Sequence, residues 1–100
     1  MSAGMIKFTP GPWRTGKGAG SRYTVYDKFS QRVGDFFEGV MATQRSDEEC
    51  AANARLGAAA PDLLAMLVEA HDIIDAIGQP ETAEVAGRMR ATIAKARGDE

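Results

Sequence analysis

The sequence predicts an α+β fold, with an N-terminal antiparallel β-meander of three or four strands followed by three α-helices packed on one side. All seven aromatic side chains lie within residues 1–37, and alanine dominates the second half of the chain. Aromatic residues suit the pleated surface of a sheet, whereas alanine is the best helix former. Strands followed by helices are typical of α+β proteins.

The length of 100 residues predicts a single domain, 1–100, with the meander at 8–42 and the helical part at 46–97. A chain of this size can bury one hydrophobic core but not two. The hydrophobic fraction of 44% and the charged fraction of 26% match an ordinary globular protein.

Turn-forming residues separate the expected strands. Two prolines and a glycine punctuate residues 8–13, which should therefore be extended rather than helical, and residues 16–21 form a flexible glycine-rich loop. The predicted strands open at Trp13-Arg14 and continue at 23–26, 32–37 and, as a candidate fourth, 40–42.

A capping box marks the start of the first helix. The Ser46 side chain can accept from the Glu49 amide, and the Glu49 carboxylate can reach back to the Ser46 amide. Acidic residues in this turn also interact favourably with the positive end of the helix dipole. The first helix is therefore predicted at 47–59.

Two further helices follow the first. Pro61 suits the opening turn of the second helix, which Gly78 ends, and Pro80 begins a third that ends near Gly98. Because their connection is short, the second and third helices should form an antiparallel hairpin. The predicted apolar faces are Leu63, Leu67, Ala70, Ile74 and Ile77 on the second helix, and Val85, Met89, Ile93 and Ala96 on the third.

Composition argues against several classes of protein. A formal net charge of −2 is unlike the clustered positive charge of nucleic-acid binders, so no direct nucleic-acid contact is expected. A single cysteine excludes an intramolecular disulfide and a thiolate metal cluster. No apolar run approaches the roughly 20 residues of a membrane span, and residues 1–5 lack the features of a secretory signal. The expected location is cytoplasmic, with no membrane partner.

The glycine-rich loop resembles a phosphate-binding loop only superficially. A P-loop needs Ser or Thr after its lysine and then a helix, whereas Gly18 follows Lys17 and a strand comes next. A flexible hairpin loop is the simpler interpretation. The alternative is an anion-binding loop, in which Arg14, Lys17 and Arg22 would meet the phosphates of a ligand.

No residue set predicts catalysis, a metal or a cofactor. His71, the only histidine, lies at the edge of an apolar helix face, which favours a partly buried structural role. Asp72 and Asp75 are near it, but nothing marks a nucleophile or a substrate pocket. Cys50 lies in an acidic helical turn, where an inert, semi-buried thiol is expected. We therefore expect a protein that is not an enzyme.

Acidic and aromatic residues provide the candidate partner-binding surface. Helix capping explains the acidic turn at 47–49, yet these carboxylates can also contact a basic partner. Adjacent strand residues point to opposite faces, so one of Phe36 and Phe37 should enter the core and the other can be exposed. The candidate partner-binding residues are Phe29, Asp35, Phe36, Phe37, Glu38, Asp47 and Glu48.

Three stretches of the chain resemble a group of small phage and prophage proteins. These are the Phe-Thr-Pro-Gly-Pro-Trp segment at 8–13, the Val-Tyr-Asp strand around 25–27, and Asn-Ala-Arg-Leu-Gly-Ala-Ala-Ala-Pro at 53–61. The resemblance implies a phage or prophage origin, and with it a host bacterial cytoplasm, but it supplies no catalytic residues. The chain departs from the group at Gly57, where isoleucine is usual, and at Phe29-Ser30-Gln31, where the group has an Asp-Gly turn.

Three functions are consistent with these observations. The preferred hypothesis, by analogy with anti-CRISPR proteins of similar size, is a non-enzymatic inhibitor of a bacterial antiviral defence system. Such an inhibitor would occupy a surface of a host protein or ribonucleoprotein complex. The alternatives are a sponge that sequesters a nucleotide signal, and an assembly protein that forms a homodimer through its helices.

Overall fold

The structure is a computed structural model that describes residues 7–17, 23–37 and 46–99. The chain divides into two compact units. Residues 9–61 form the first, here called the sheet unit, and the helices from Asp62 onward belong to the second, the helical unit. The α+β fold class is confirmed, because a three-stranded antiparallel sheet precedes three helices in the described residues.

The sheet is the predicted meander. Its strands are β1 (Arg14–Lys17), β2 (Tyr23–Tyr26) and β3 (Arg32–Phe36), in the order β1-β2-β3 and all antiparallel. The prediction that the flexible loop starts at residue 16 is wrong, because the last two residues of β1 pair with Thr24 and Tyr23. The candidate fourth strand at 40–42 lies outside the described residues.

Helix α1, Asp47–Ala58, packs on all three strands within the sheet unit. It begins where predicted, and the Ser46 hydroxyl accepts a hydrogen bond from the Glu49 amide at 3.0 Å. The buried residues of α1 are Cys50, Ala54 and Ala58, spaced one turn apart, and their small side chains let the helix approach the sheet closely. Val25 of β2, 2% exposed, lies in the same core.

The helical unit contains most of α2, Ala60–Ile77, and all of α3, Ala83–Arg97. Gly78 and Gly98 end these helices with left-handed φ angles of 68° and 78°, so both helix ends lie where the sequence predicts them. Pro80 opens a 3₁₀ turn, Pro80–Thr82, rather than α3 itself. Of the predicted face of α3, Ile93 is buried and Met89 is half-buried, whereas Val85 and Ala96 are exposed; Ala86 is buried as well.

Candidate protein-binding site

The turn between β2 and β3 is built around the side chain of Asp27. Residues 27–31, here called the hairpin tip, connect the two strands. One carboxylate oxygen of Asp27 accepts from the amides of Phe29 and Gln31, both at 2.9 Å. The backbone closes the same turn, since the Asp27 amide donates to the Gln31 carbonyl at 2.8 Å. Asp27 is only 6% exposed, so these bonds are shielded from water and hold the tip in one conformation.

Arg14 connects the hairpin tip to the neighbouring strand. Ser30 adopts a left-handed conformation with φ of 64°, and its hydroxyl accepts from the Arg14 guanidinium at 2.7 Å. The Arg14 guanidinium also lies 4.9 Å from the centre of the Tyr26 ring, its partner across the sheet. This cation–π contact and hydrogen bond fix the tip against β1.

Phe29 is the side chain that this fixed turn presents. It is 74% exposed, the highest exposure among the large apolar side chains that the structure describes. The Lys28 ammonium lies 5.4 Å from its ring centre. Arg14, which donates to the neighbouring Ser30, is also exposed, while Asp27 is buried. Lys28 and Arg14 therefore bring positive charge to the exposed side of the tip, which was not predicted from the sequence.

The opposite end of the hairpin carries most of the predicted acidic and aromatic residues. Tyr23 pairs with Phe36, and its hydroxyl donates to the Asp47 carboxylate at 3.0 Å. This hydrogen bond raises the pKa of Tyr23 above its ordinary value of 10.0. Phe37 follows at the end of β3 with 56% exposure, and Glu48 is exposed on α1.

Phe36 is the aromatic of the Phe36-Phe37 pair that packs inward. A Cβ atom on Gly57 of α1 would lie 2.8 Å from the Phe36 Cζ atom, so the ring occupies the space where a side chain would begin. The glycine that departs from the resembled group therefore makes room for this ring. It leaves no gap in the helix packing.

Two of the predicted binding carboxylates also have internal hydrogen bonds. Asp35 accepts from the hydroxyl of Thr24 at 2.7 Å across β2 and β3, and it lies 3.6 Å from the Arg32 guanidinium. Asp47 accepts from Tyr23, as described above. A charge reversal at either position would therefore disturb the fold as well as any partner contact.

The structure does not bring the predicted site residues into one cluster. Phe29 lies at the hairpin tip, whereas Phe36 lies at the far end of β3, about 14 Å from Arg32, where that strand begins, at the usual rise per strand residue. Glu38 lies outside the described residues. The candidate binding residues named from the sequence do not include Asp27, Lys28 or Ser30, although an aspartate at the first position of a five-residue connection is a recognised turn signal.

The alternative ligand-binding residues are only partly described. The Arg14 side chain contacts Ser30 and Tyr26, and the backbone of Lys17 belongs to β1. Arg22 and most of the glycine-rich loop lie outside the described residues. The structure therefore leaves the nucleotide-binding alternative as a prediction.

The remaining candidate groups lie in interior or helical positions. Cys50, a residue of α1, is fully buried, and the His71 side chain is 14% exposed with its Nδ1 atom 3.4 Å from the Asp72 carboxylate. Among the described residues, no three histidine, cysteine or acidic side chains are grouped as metal ligands would be. None of the helices in that part of the chain is both long and apolar enough to cross a bilayer.

Comparison with known proteins yields a family match. A family model described as Salmonella phage P22 protein Y8K6 matches residues 1–100. No curated protein matches the chain, and no solved structure does.

Proposed function

The chain belongs to the family of Salmonella phage P22 protein Y8K6, and we propose a function on that basis. The match spans the full length of the chain, so the sheet unit and the helical unit are both part of the family pattern. The phage origin that the resemblance implied is thereby confirmed. We propose that this phage protein binds a host protein without catalysing a reaction.

Phe29 at the hairpin tip carries this proposal. An aromatic side chain that is 74% exposed is an unfavourable feature in water, and it is the type of residue that dominates binding energy at protein interfaces. The turn beneath it is held by the Asp27 carboxylate and by Arg14, so little conformational entropy is lost when a partner covers the ring.

The charges around Phe29 specify the kind of surface it fits. Lys28 lies 5.4 Å from the centre of the apolar ring, and the exposed Arg14 donates to Ser30, the next residue, so both charges near the ring are positive. The complementary surface is an apolar pocket bordered by carboxylates. We propose that this pocket lies on a component of a bacterial antiviral defence complex, whose action the bound phage protein blocks by occupying it.

The test is a phage-protection assay in bacterial strains that each carry one defence system. We expect the wild-type chain to restore plaque formation by a restricted phage in at least one strain. Phe29→Ala should abolish this protection, because losing a hot-spot aromatic weakens binding about 30-fold. The affinity change is then measured with the purified target by calorimetry.

Phe37→Ala is the matched control, since it removes the same exposed side chain from the other end of β3. We expect Phe37→Ala and Glu48→Lys to protect as well as the wild type. If these two variants fail and Phe29→Ala still protects, the acidic end of the hairpin is the contact surface and the tip is not. If no strain is protected although binding to a host protein is measured, the inhibitory role is wrong and the binding role stands.

A further inference from the structure

Helix α2 carries a second apolar surface, in the helical unit and independent of the hairpin tip. None of its 18 residues is buried, although its composition is strongly apolar. Leu63, Met66, Ile73 and Ile77 are between 54% and 60% exposed. Together with the half-buried Ala70 they define what we call the α2 stripe.

The spacing of the α2 stripe is that of a coiled-coil seam. Residues 63, 66, 70, 73 and 77 alternate steps of three and four, which places them on one side of the helix over two heptads. The half-buried side chains Leu64, Leu67, His71 and Ile74 lie on the neighbouring side. The stripe is therefore separate from the half-buried face of α2.

The charges on α2 determine what can cover this stripe. The helix contains four carboxylates, Asp62, Glu69, Asp72 and Asp75, and no lysine or arginine. Asp62 and Glu69 occupy the positions directly before Leu63 and Ala70, which flank the seam of a coiled coil. A second copy of α2 would bring the same acidic charge to the interface, and an antiparallel pairing would place the two Glu69 side chains opposite each other.

We propose that the α2 stripe binds a basic amphipathic helix of another protein. The seam residues would supply knobs for the apolar side of that helix, and its lysine or arginine side chains would pair with Asp62 and Glu69. This partner differs from the acidic-rimmed pocket that suits the hairpin tip. The two surfaces can therefore recognise different partners, or different parts of one complex.

The test uses two designed helical peptides and the full-length chain. Both peptides carry leucine at the seam positions, and the flanking positions are lysine in one and glutamate in the other. We expect the lysine peptide to bind at least about tenfold more tightly than the glutamate peptide. Raising the salt from about 0.05 to about 0.5 M should weaken the lysine peptide and reduce this difference.

Variants of the chain then assign the binding to the stripe. Met66→Asp and Ile73→Asp should each abolish peptide binding, and Asp62→Lys with Glu69→Lys should make the glutamate peptide the better ligand. Leu56→Asp, a change at an equally exposed leucine of α1, should leave binding unchanged. Phe29→Ala should also leave peptide binding unchanged. The α2 stripe proposal and the hairpin-tip proposal can therefore fail independently of each other. Circular dichroism checks that each variant folds.

Two results would overturn the proposal. The first is equal binding of both peptides by the folded wild-type chain, or binding by neither. The second is a dimer in light scattering that dissociates in Ile73→Asp, because a second copy would then be the occupant of the stripe. A monomer that binds only the lysine peptide supports the basic partner helix.

Discussion

The sheet unit and the helical unit are stabilised in different ways. In the sheet unit, hydrogen bonds join residues far apart in sequence, such as Thr24 with Asp35 and Tyr23 with Asp47, and Val25 and Cys50 are almost fully buried. In the helical unit, the side-chain hydrogen bonds among the described residues are local, such as that from Thr92 to the Arg88 carbonyl, and the distant Lys7 and Asp99 form an exposed ion pair.

This difference explains why the two units present different surfaces. The sheet unit uses buried polar contacts to hold a single aromatic side chain at the hairpin tip. The helical unit leaves much of an apolar helix exposed, which is surface that a partner can cover. Substitutions in the sheet unit should therefore cost more stability than comparable ones in α2 or α3.

The largest expected effect is that of Asp27→Ala. The change removes a buried carboxylate that accepts from two backbone amides, so the free energy of unfolding should fall by about 3 kcal/mol. Urea unfolding measures it. Asp75→Ala on α2 is the control. Loss of its exposed carboxylate should lower the free energy of unfolding by less than about 0.5 kcal/mol. Equal losses in both variants would remove the contrast between the units.

Gly57→Ile comes next, because it introduces a side chain where the Phe36 ring already lies. The overpacked site should lose about 2 kcal/mol of stability. In the double variant with Phe36→Ala, the new side chain finds space, so the two changes should cost less together than the sum of their separate costs. Strictly additive costs would show that the ring and the helix do not compete for this position.

Thr24→Val and Thr92→Val compare the same substitution in the two units. Thr24 is 1% exposed and donates to the Asp35 carboxylate, so its replacement should cost about 1.5 kcal/mol. Thr92 is exposed and bonds only within its own helix, so its replacement should cost less than about 0.5 kcal/mol. Chemical denaturation of both variants is the measurement. A larger loss for Thr92→Val would reverse the comparison.

The smallest effect concerns the ionisation of Tyr23. In a Tyr26→Phe background, Tyr23 is the only tyrosine, and its absorbance should titrate with a pKa above 10.0. Asp47→Ala removes the main cause, so the pKa should return towards that value. Because the folded-state pKa is raised, the associated stabilisation is present below pH 10.0 and is lost as the pH rises through the raised pKa. An unchanged Tyr23 pKa in Asp47→Ala would argue against the hydrogen bond between Tyr23 and Asp47.

Local signals in the sequence predicted most of the fold. Ser46, Gly78 and Gly98 mark helix ends through their own chemistry, so those boundaries are confirmed to within a residue or two. The meander followed from the aromatic composition and the turns. The face of α3 was predicted only in part, since Ile93 is buried and Met89 half-buried but Val85 and Ala96 are exposed.

The candidate site was harder to predict, since its contacts join distant residues. Nothing local links Arg14 to Ser30, or Phe36 to Gly57, and each pair meets only once the strands and α1 are assembled. Exposure of Phe29 at a turn was predictable, but its positive surroundings depend on β1 lying beside the turn. Which of Phe36 and Phe37 enters the interior likewise depends on the opening that Gly57 provides.

The complete burial of Cys50 has a practical consequence for experiments on this protein. It is the only thiol in the chain and has no solvent-accessible surface, so a maleimide reagent can reach it only when α1 separates from the sheet. The rate of labelling therefore reports opening of the sheet unit without any mutation. A cysteine placed on the α2 stripe would react much sooner, so a fluorophore can be attached there while the native thiol stays protected.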